Sequence, residues 1–590
     1  MSLYDKASLV MIPSGYKDDK LYSIKPTSGD GDFTFSRDGS GASPATRVNS
    51  AGLIEKGRTN FLLNSIWDGV GTNTAPTSWV NGFTSGNYES AASSTNGNTA
   101  IRFYGTSARR YISQAPSFGG IMALSVYVES VTTADEIRYL LNQIGGTELF
   151  YLEDSSVVAN TTSISAGKTY TLVFNTSGTT EIRIGGGVTG NRTYDFTLSV
   201  PQLEKGLVAT SYIETTTAAA SAGILGDMPR LDYSGGASCP SLLLEPSRTN
   251  IISQSEYFDG LPNKFEVVID SNAVTSPEGL QNATKISANN VSGLHYVDNH
   301  SSVIASSYSV SIYAKAGETN KFLFLTNNRG SNVARGFDVS NGTTFANDLG
   351  YSEPTSYSIE AVGNDWYYCT MQFSKTSVGL TAMGVFLTDN SGASTFVGNG
   401  SDGMYFYGFQ QEAGSYPTSY VPTYGSATAR AKDVCDGAGN SSLFNDSEGV
   451  LFAEVSFARD KGQSSPFKLD RISLSDGTTN NRILISNTTT ANEIQVFIRN
   501  SSSNIFNETI TLTDITANNK IAVRYESGNY ALYINGTEEA TGASTNVPSG
   551  LNELMFDGPS GNYEFEGKVK QTLYFPTALT DAELESLTTI

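Results

Sequence analysis

The sequence predicts an all-β protein built from tandem antiparallel β-sandwiches, with one short helix at the C-terminus. Three observations carry that reading. Glycine, tyrosine and phenylalanine contribute 58, 31 and 29 residues while charged residues make up only 16%, a balance that fits Gly-punctuated strands and excludes helix bundles, coiled coils and disorder. Short runs of alternating apolar and polar residues recur between clusters of Gly, Asn, Ser and Thr, as antiparallel strands with one buried face require. A long stretch is also duplicated. At 590 residues the chain exceeds the roughly 250 to 300 residues at which single cores stop growing, so three or four domains are expected.

Residues 1–54 hold two strand candidates, Asp32 to Ser36 and Thr46 to Asn49, around a Gly- and Ser-rich loop from Asp38 to Ser43. That is too little for a core, and the segment reads as a docking or anchoring piece. The duplication follows. Glu55-Lys56-Gly57-Arg58-Thr59-Asn60 recurs as Glu245-Pro246-Ser247-Arg248-Thr249-Asn250, and Gln202-Leu203-Glu204 with Thr210-Ser211-Tyr212 recurs as Gln410-Gln411-Glu412 with Thr418-Ser419-Tyr420. These motifs bracket two sandwiches, 55–217 and 245–430. In the first, Ile121 to Val128 is apolar on both alternating faces and is expected to be covered on both sides; in the second, Tyr308 to Ala314 alternates and Phe322 to Leu325 follows after a turn. The connecting segment 218–244 carries a strand-like Pro229 to Tyr233 and an apolar Ser241 to Leu244.

A polar stretch from Lys432 to Asn440 leads into a third sandwich, 441–590. Ile521, Val523 and Tyr525 alternate up to a Ser527-Gly528-Asn529 turn, Tyr530, Leu532 and Ile534 alternate back, and Asn535-Gly536 is a type I′ turn signal. Thr580-Asp581-Ala582-Glu583 is a capping box that opens the terminal helix.

The formal net charge of −21 repels phosphate backbones and anionic headgroups, which excludes nucleic acid and membrane surfaces as partners. Cys239, Cys369 and Cys435 form no disulfide framework. Met1 to Lys20 has neither a signal-peptide core nor a membrane span, so synthesis in a cytoplasm without membrane insertion is expected. The two histidines, His295 and His300, flank Asp298 with 298 and 300 on one strand face, and no spacing supplies the remaining ligands of a zinc site. Two histidines and no GxSxG elbow disfavour nucleophilic hydrolysis. A carboxylate pair for glycan depolymerisation can be drawn from any 58 acidic residues, and no motif singles one out. No enzyme is expected. Trp67, Trp79 and Trp366 are the candidates for stacking on the C–H face of a pyranose. No cofactor is required; a structural calcium ion is the one this acidic composition suits, with Asp30, Asp32 and Asp402 in turn-rich loops as ligand candidates.

Tyr4 to Gly15, Gly31 to Arg37, Ala45 to Asn49, Gly52 to Glu55, Pro229 to Tyr233, Cys239 to Pro246 and Arg248 to Asn250 together resemble virion appendage and decoration proteins of tailed bacteriophages, such as tail fibres, tail spikes and head fibres. The duplicated stretches resemble carbohydrate-binding-module-like jelly rolls, and residues from about 445 onward resemble a concanavalin- or laminin-G-like sandwich. The resemblance implies a non-enzymatic component of a virion, displayed on tail or capsid, that binds host-surface or environmental glycans through many weak contacts. It also implies other virion proteins as partners, a homo-oligomer with a trimer favoured, and Glu204 and Glu412 as further calcium ligands. The rival readings are a purely structural virion component and a secreted glycan-binding or glycan-degrading protein.

Overall fold

The computed structural model describes residues 3–590 apart from 40, 94, 96, 305, 328–331, 376–378, 462, 465–466, 560 and 562. The fold is all-β, with antiparallel sheets throughout and a C-terminal helix, Asp581–Thr588. The capping box is formed as the sequence predicts, with Thr580 accepting from the Glu583 N–H and Glu583 reaching back to the Thr580 N–H at 3.0 Å. The Asn535-Gly536 turn is also as expected, since both residues take positive φ, 50° and 85°.

The chain divides into two compact units, each discontinuous in sequence. The first unit is made of Met1–Gly52, Ile224–Arg248 and Arg430–Ile590. It is a sandwich of an eight-stranded and a five-stranded sheet around one apolar core. Glu448–Phe457, Asn519–Glu526, Tyr530–Ile534 and Gly567–Phe575 form the centre of the larger sheet. The free edge of Gly567–Phe575 is taken by two strands from far upstream: Leu9–Met11 pairs with Thr572 to Tyr574, and Ser241–Leu244 with Gly567 to Val569. The segments 1–52 and 224–248 thus build the sandwich of 430–590 along with it. The reason is visible in the strands themselves, because Leu9–Met11 and Ser241–Leu244 are buried at every position and have no second apolar layer of their own. Charge fastens the same three segments: the buried Arg37, Arg230 and Arg430 share Asp433 and Glu245, with Arg37–Asp433 at 3.0 Å and both Arg230–Glu245 and Arg430–Glu245 at 2.7 Å.

The second unit is Leu53–Gly223 with Thr249–Ala429, the two copies of the duplication. In the first copy a nine-stranded sheet closes around its own core because the long strand Lys168–Gly186 pairs with Gly120–Thr133 at one end and Arg110–Gln114 at the other. The strand expected to be covered on both sides, Ile121 to Val128, is buried at every position except the half-buried Tyr127. One face packs in the first copy's core and the other, through Ile121, against Tyr257, Leu280 and Tyr424 of the second copy. The second copy is a sandwich of two six-stranded sheets.

Both copies are closed by one lock, which explains the duplicated motifs. Asn60 is fully buried; its Oδ1 accepts from the Leu62 and Leu203 N–H groups at 3.1 Å and its Nδ2 donates to the Ile213 carbonyl at 2.8 Å. Asn250 repeats this with Ile252, Gln411 and Val421 at 3.1, 3.1 and 2.9 Å. The Glu204 carboxylate takes the Thr210 N–H and hydroxyl at 2.7 and 2.6 Å, and Glu412 takes those of Thr418 at 2.6 and 2.7 Å. Ser65 with Tyr212, and Ser255 with Tyr420, complete the pair of locks at 2.7 and 2.6 Å. These charge-assisted bonds satisfy backbone groups that burial would otherwise orphan.

Candidate functional site

The outer face of one sheet of the second copy carries a file of side chains in a single cross-strand row. This sheet runs Asn263–Phe265, Tyr296–Val303, Gly379–Leu387, Lys321–Asn327, Val333–Asp338, Thr343–Phe345. Register places Phe265 opposite Tyr296, Tyr296 opposite Phe386, Phe386 opposite Leu323, Leu323 opposite Gly336 and Gly336 opposite Phe345. At about 4.8 Å between strands, the row spans roughly 24 Å. Alternation keeps it off the core, into which Val297, Phe322, Phe324, Phe337 and Val385 of the same strands point.

The far half of the row is covered. Leu323 is fully buried, and Phe345 lies so close over Gly336 that any Cβ there would meet its ring at 2.4 Å. Phe345, Leu349 and Tyr351 pack on this half. The near half opens towards its edge, from the buried Phe386 through the half-buried Tyr296 to the exposed Phe265. Phe265, Tyr296 and Phe386 stack in sequence, with centroids 5.2 and 4.4 Å apart and planes within 19° and 18°. Such stacking stands the rings on edge, each covering its neighbour's face. The last ring, Phe265, belongs to the edge strand, is 47% exposed and has a single ring neighbour among the described residues. Its outward face is the solvent-facing end of the stack.

A polar group adjoins it one row along, where Asn263 faces Asp298. Asn263 Nδ2 donates to Asp298 Oδ1 at 2.9 Å and meets His300 Nε2 at 2.7 Å, and His300 Nε2 lies 3.2 Å from Asp298 Oδ1. Burial pushes the Asp298 carboxyl above its ordinary range, against the opposing pull of Asn263 and His300. An amide, an imidazole and a carboxyl beside an exposed aromatic face are groups of the kind that can orient a sugar, although the buried Asp298 already spends its Oδ1 on Asn263.

No family model and no curated protein matches this chain. Solved structures do. The chain is similar to the CBM40 of the Ruminococcus gnavus IT-sialidase bound to alpha2,3 sialyllactose, at 18% identity over 26% of this chain and 88% of that one, with a TM-score of 0.22. It is similar to domain 4 of AbnA, a GH43 extracellular arabinanase from Geobacillus stearothermophilus in complex with arabinotriose, at 12% identity over 27% and 73%, TM-score 0.22. It is also similar to domains LG4-5 of the mouse laminin alpha1 chain, at 10% identity over 55% and 94%, TM-score 0.17.

The residues singled out in the sequence lie elsewhere. Trp67, Trp79 and Trp366 are 0%, 6% and 2% exposed, so none presents a face to a sugar. Trp67 and Trp79 pack edge to face at 6.3 Å inside the first copy, and Trp366 sits in an apolar cluster with its indole N–H on the Thr275 carbonyl. Their size and apolarity drew them into cores, where a large ring buries the most area. Glu204 and Glu412 are the carboxylates of the two locks. Asp32 accepts from the Ser23 N–H at 2.9 Å, Asp30 from the Ser28 hydroxyl at 2.6 Å, and the Asp402 N–H is held by Asn399 at 2.8 Å. Among the described residues no three His, Cys, Asp or Glu side chains are gathered as a metal site. Asp298 and His300 do share a face, while His295 is buried with its ring nitrogens on the Glu266 and Phe396 carbonyls.

One pair of glutamates converges. Glu256 and Glu278 each lie 2.7 Å from Lys56 Nζ, between the two copies, with Tyr407 and Tyr424 on the same ammonium at 2.9 and 3.3 Å. Their side chains are 1% and 7% exposed. Burial and Arg58 pull the Lys56 ammonium down, but Glu256 and Glu278 outweigh both and hold it above its ordinary value. This cluster offers no open face to a substrate and works as a buried tether between the copies.

Proposed function

We propose that this chain is a non-catalytic glycan-binding protein whose second sandwich takes a sugar ring as the next member of the Phe265–Tyr296–Phe386 stack. The observation that carries the proposal is the exposed terminal ring of that stack, set beside the Asn263–Asp298–His300 group. A single such contact is weak, and display of many copies makes it useful by raising the effective concentration of sites. The resemblance of residues 1–55 and 229–250 to phage appendage proteins supports a virion as the place of display, on tail or capsid and as a homo-oligomer. Two experiments test these readings separately. On a dense glycan array the full-length protein is expected to retain specific sugars and Phe265→Ala to lose them, with affinity in solution falling about tenfold, or about 1.4 kcal/mol; equal retention by the variant would remove this site. Mass spectrometry of purified virions tests the place of display, and absence of the chain from the particle defeats it.

A further inference from the structure

On the C-terminal sandwich of the first unit, three arginines meet without a counter-ion. The five-stranded sheet buries Ile472, Leu474, Ile483, Ile485, Ile494, Val496 and Ile498 in its core. Alternation therefore puts Arg471, Arg482, Phe497 and Arg499 on the opposite face. Arg482 and Arg499 are direct cross-strand partners, a like-charge placement that weakens a sheet. Among the described residues, no carboxylate lies within ion-pair distance of any of the three. Arg482 is 6% exposed, and its Nε and Nη1 are buried and hydrogen-bond nothing; the Arg471 Nε is buried and unbonded too. Burial, then Arg499 and Arg471, pull the Arg482 guanidinium down to about 10, so the cluster works against its own charge.

Aromatic rings hold these cations in place. The Arg482 and Arg499 guanidinium carbons sit 4.9 and 5.1 Å from the Phe497 ring, and that of Arg471 sits 3.8 Å from the Tyr563 ring. Tyr563 reaches Arg471 from a left-handed backbone, φ 79°, which a bulky side chain seldom adopts. Like charges opposed across strands and buried donors without acceptors are each unfavourable. Both are relieved by one ligand, a planar or tetrahedral oxyanion that accepts the guanidinium N–H groups in pairs.

We propose that this face is an oxyanion-binding site, specific for the carboxylate or sulfate class and centred on Arg482, with Arg499 and Arg471 flanking it. It is independent of the aromatic file of the second unit, in position and in chemistry. The source of the oxyanion is either a free inorganic ion or an acidic sugar such as a uronate. Full-length protein is titrated with sodium sulfate, phosphate, glucuronate and, as the neutral control, glucose, at constant ionic strength, with calorimetry and melting temperature as readouts. Saturable heat and a saturable rise in melting temperature are expected for the oxyanions and not for glucose. Saturation by glucuronate at lower concentration than by sulfate or phosphate assigns an acidic sugar; the reverse order assigns a free ion. Arg482→Met should melt above the wild type in chloride, because a buried unpaired charge is gone, and lose the saturable response. Arg482→Lys should weaken binding by about tenfold or more, since an ammonium lacks the fork. Arg499→Gln, at a more exposed position, gives the same readout if Arg482 variants do not fold. Phe265→Ala must leave the response intact, which keeps this proposal separable from the glycan reading. No saturable response to any oxyanion, or an equal response in Arg482→Met and Arg499→Gln, overturns it.

Discussion

Single residues set the two locks; their repetition is readable in the sequence, but their role is not, since the resemblance implies Glu204 and Glu412 as calcium ligands. Asn60 with Asn250 and Glu204 with Glu412 recur in sequence because each makes several directed bonds that no other side chain can copy. Glu412→Ala leaves the buried Thr418 N–H and hydroxyl without acceptors and should destabilise the second copy by about 3 kcal/mol, read by chemical denaturation, with Glu412→Gln costing less. The residues of the two candidate sites were not readable in this way. Phe265, Tyr296 and Phe386 are spread along the chain, and only strand register makes them neighbours; register likewise pairs Arg482 with Arg499, while Arg471 stands on the same sheet face opposite Ser486. The tryptophans stood out in the sequence by type alone, and type says nothing about which face of a sheet a ring is on.

At the level of elements, alternation and turn chemistry located the strands they singled out, including Asn519–Glu526, Tyr530–Ile534, Arg230–Asp232 and Ser241–Leu244. Pairing partners stayed hidden, because hydrogen bonds between strands hundreds of residues apart leave no local signal. One short strand carries a pH dependence. Val434–Asp436 joins Phe33–Ser36 in a small sheet of the first unit. Burial, then Glu553 and Glu564, push the Asp436 carboxyl up to about 6. Burial, then Asp436, Glu564 and Glu553, push that of Asp557 up to about 8. A carboxyl whose folded value lies above its unfolded one keeps a proton that the unfolded chain has released. Its contribution is therefore complete below about pH 4 and is lost as pH rises through about 6 and then about 8. The melting temperature of the first unit should fall between about pH 5 and about pH 9, and Asp557→Asn should flatten that slope and raise stability at the alkaline end; a slope unchanged by the variant contradicts the assignment.

For the molecule as a whole, the all-β antiparallel class was legible from composition and alternation, but the topology was not. The short segments 1–52 and 224–248 have too few residues for a core, and nothing local indicates that they finish one built from 430–590. Their removal is the direct check. Deleting residues 1–52 should strip Leu9–Met11 from the Gly567–Phe575 edge and take Arg37 from the buried Asp433, leaving Arg230 as its ion-pair partner. The truncated chain is expected to lose the cooperative melting of the first unit while the second unit melts as before, followed by calorimetry. The same topology imposes an order of assembly during synthesis. Leu9 waits for Tyr574, so that sheet cannot close until the Gly567–Phe575 strand has been synthesised, by which time both repeats have left the exit tunnel and had time to fold. A chain released before Gly567–Phe575 is made would carry finished repeats beside two upstream strands, Leu9–Met11 and Ser241–Leu244, with no edge to pair on.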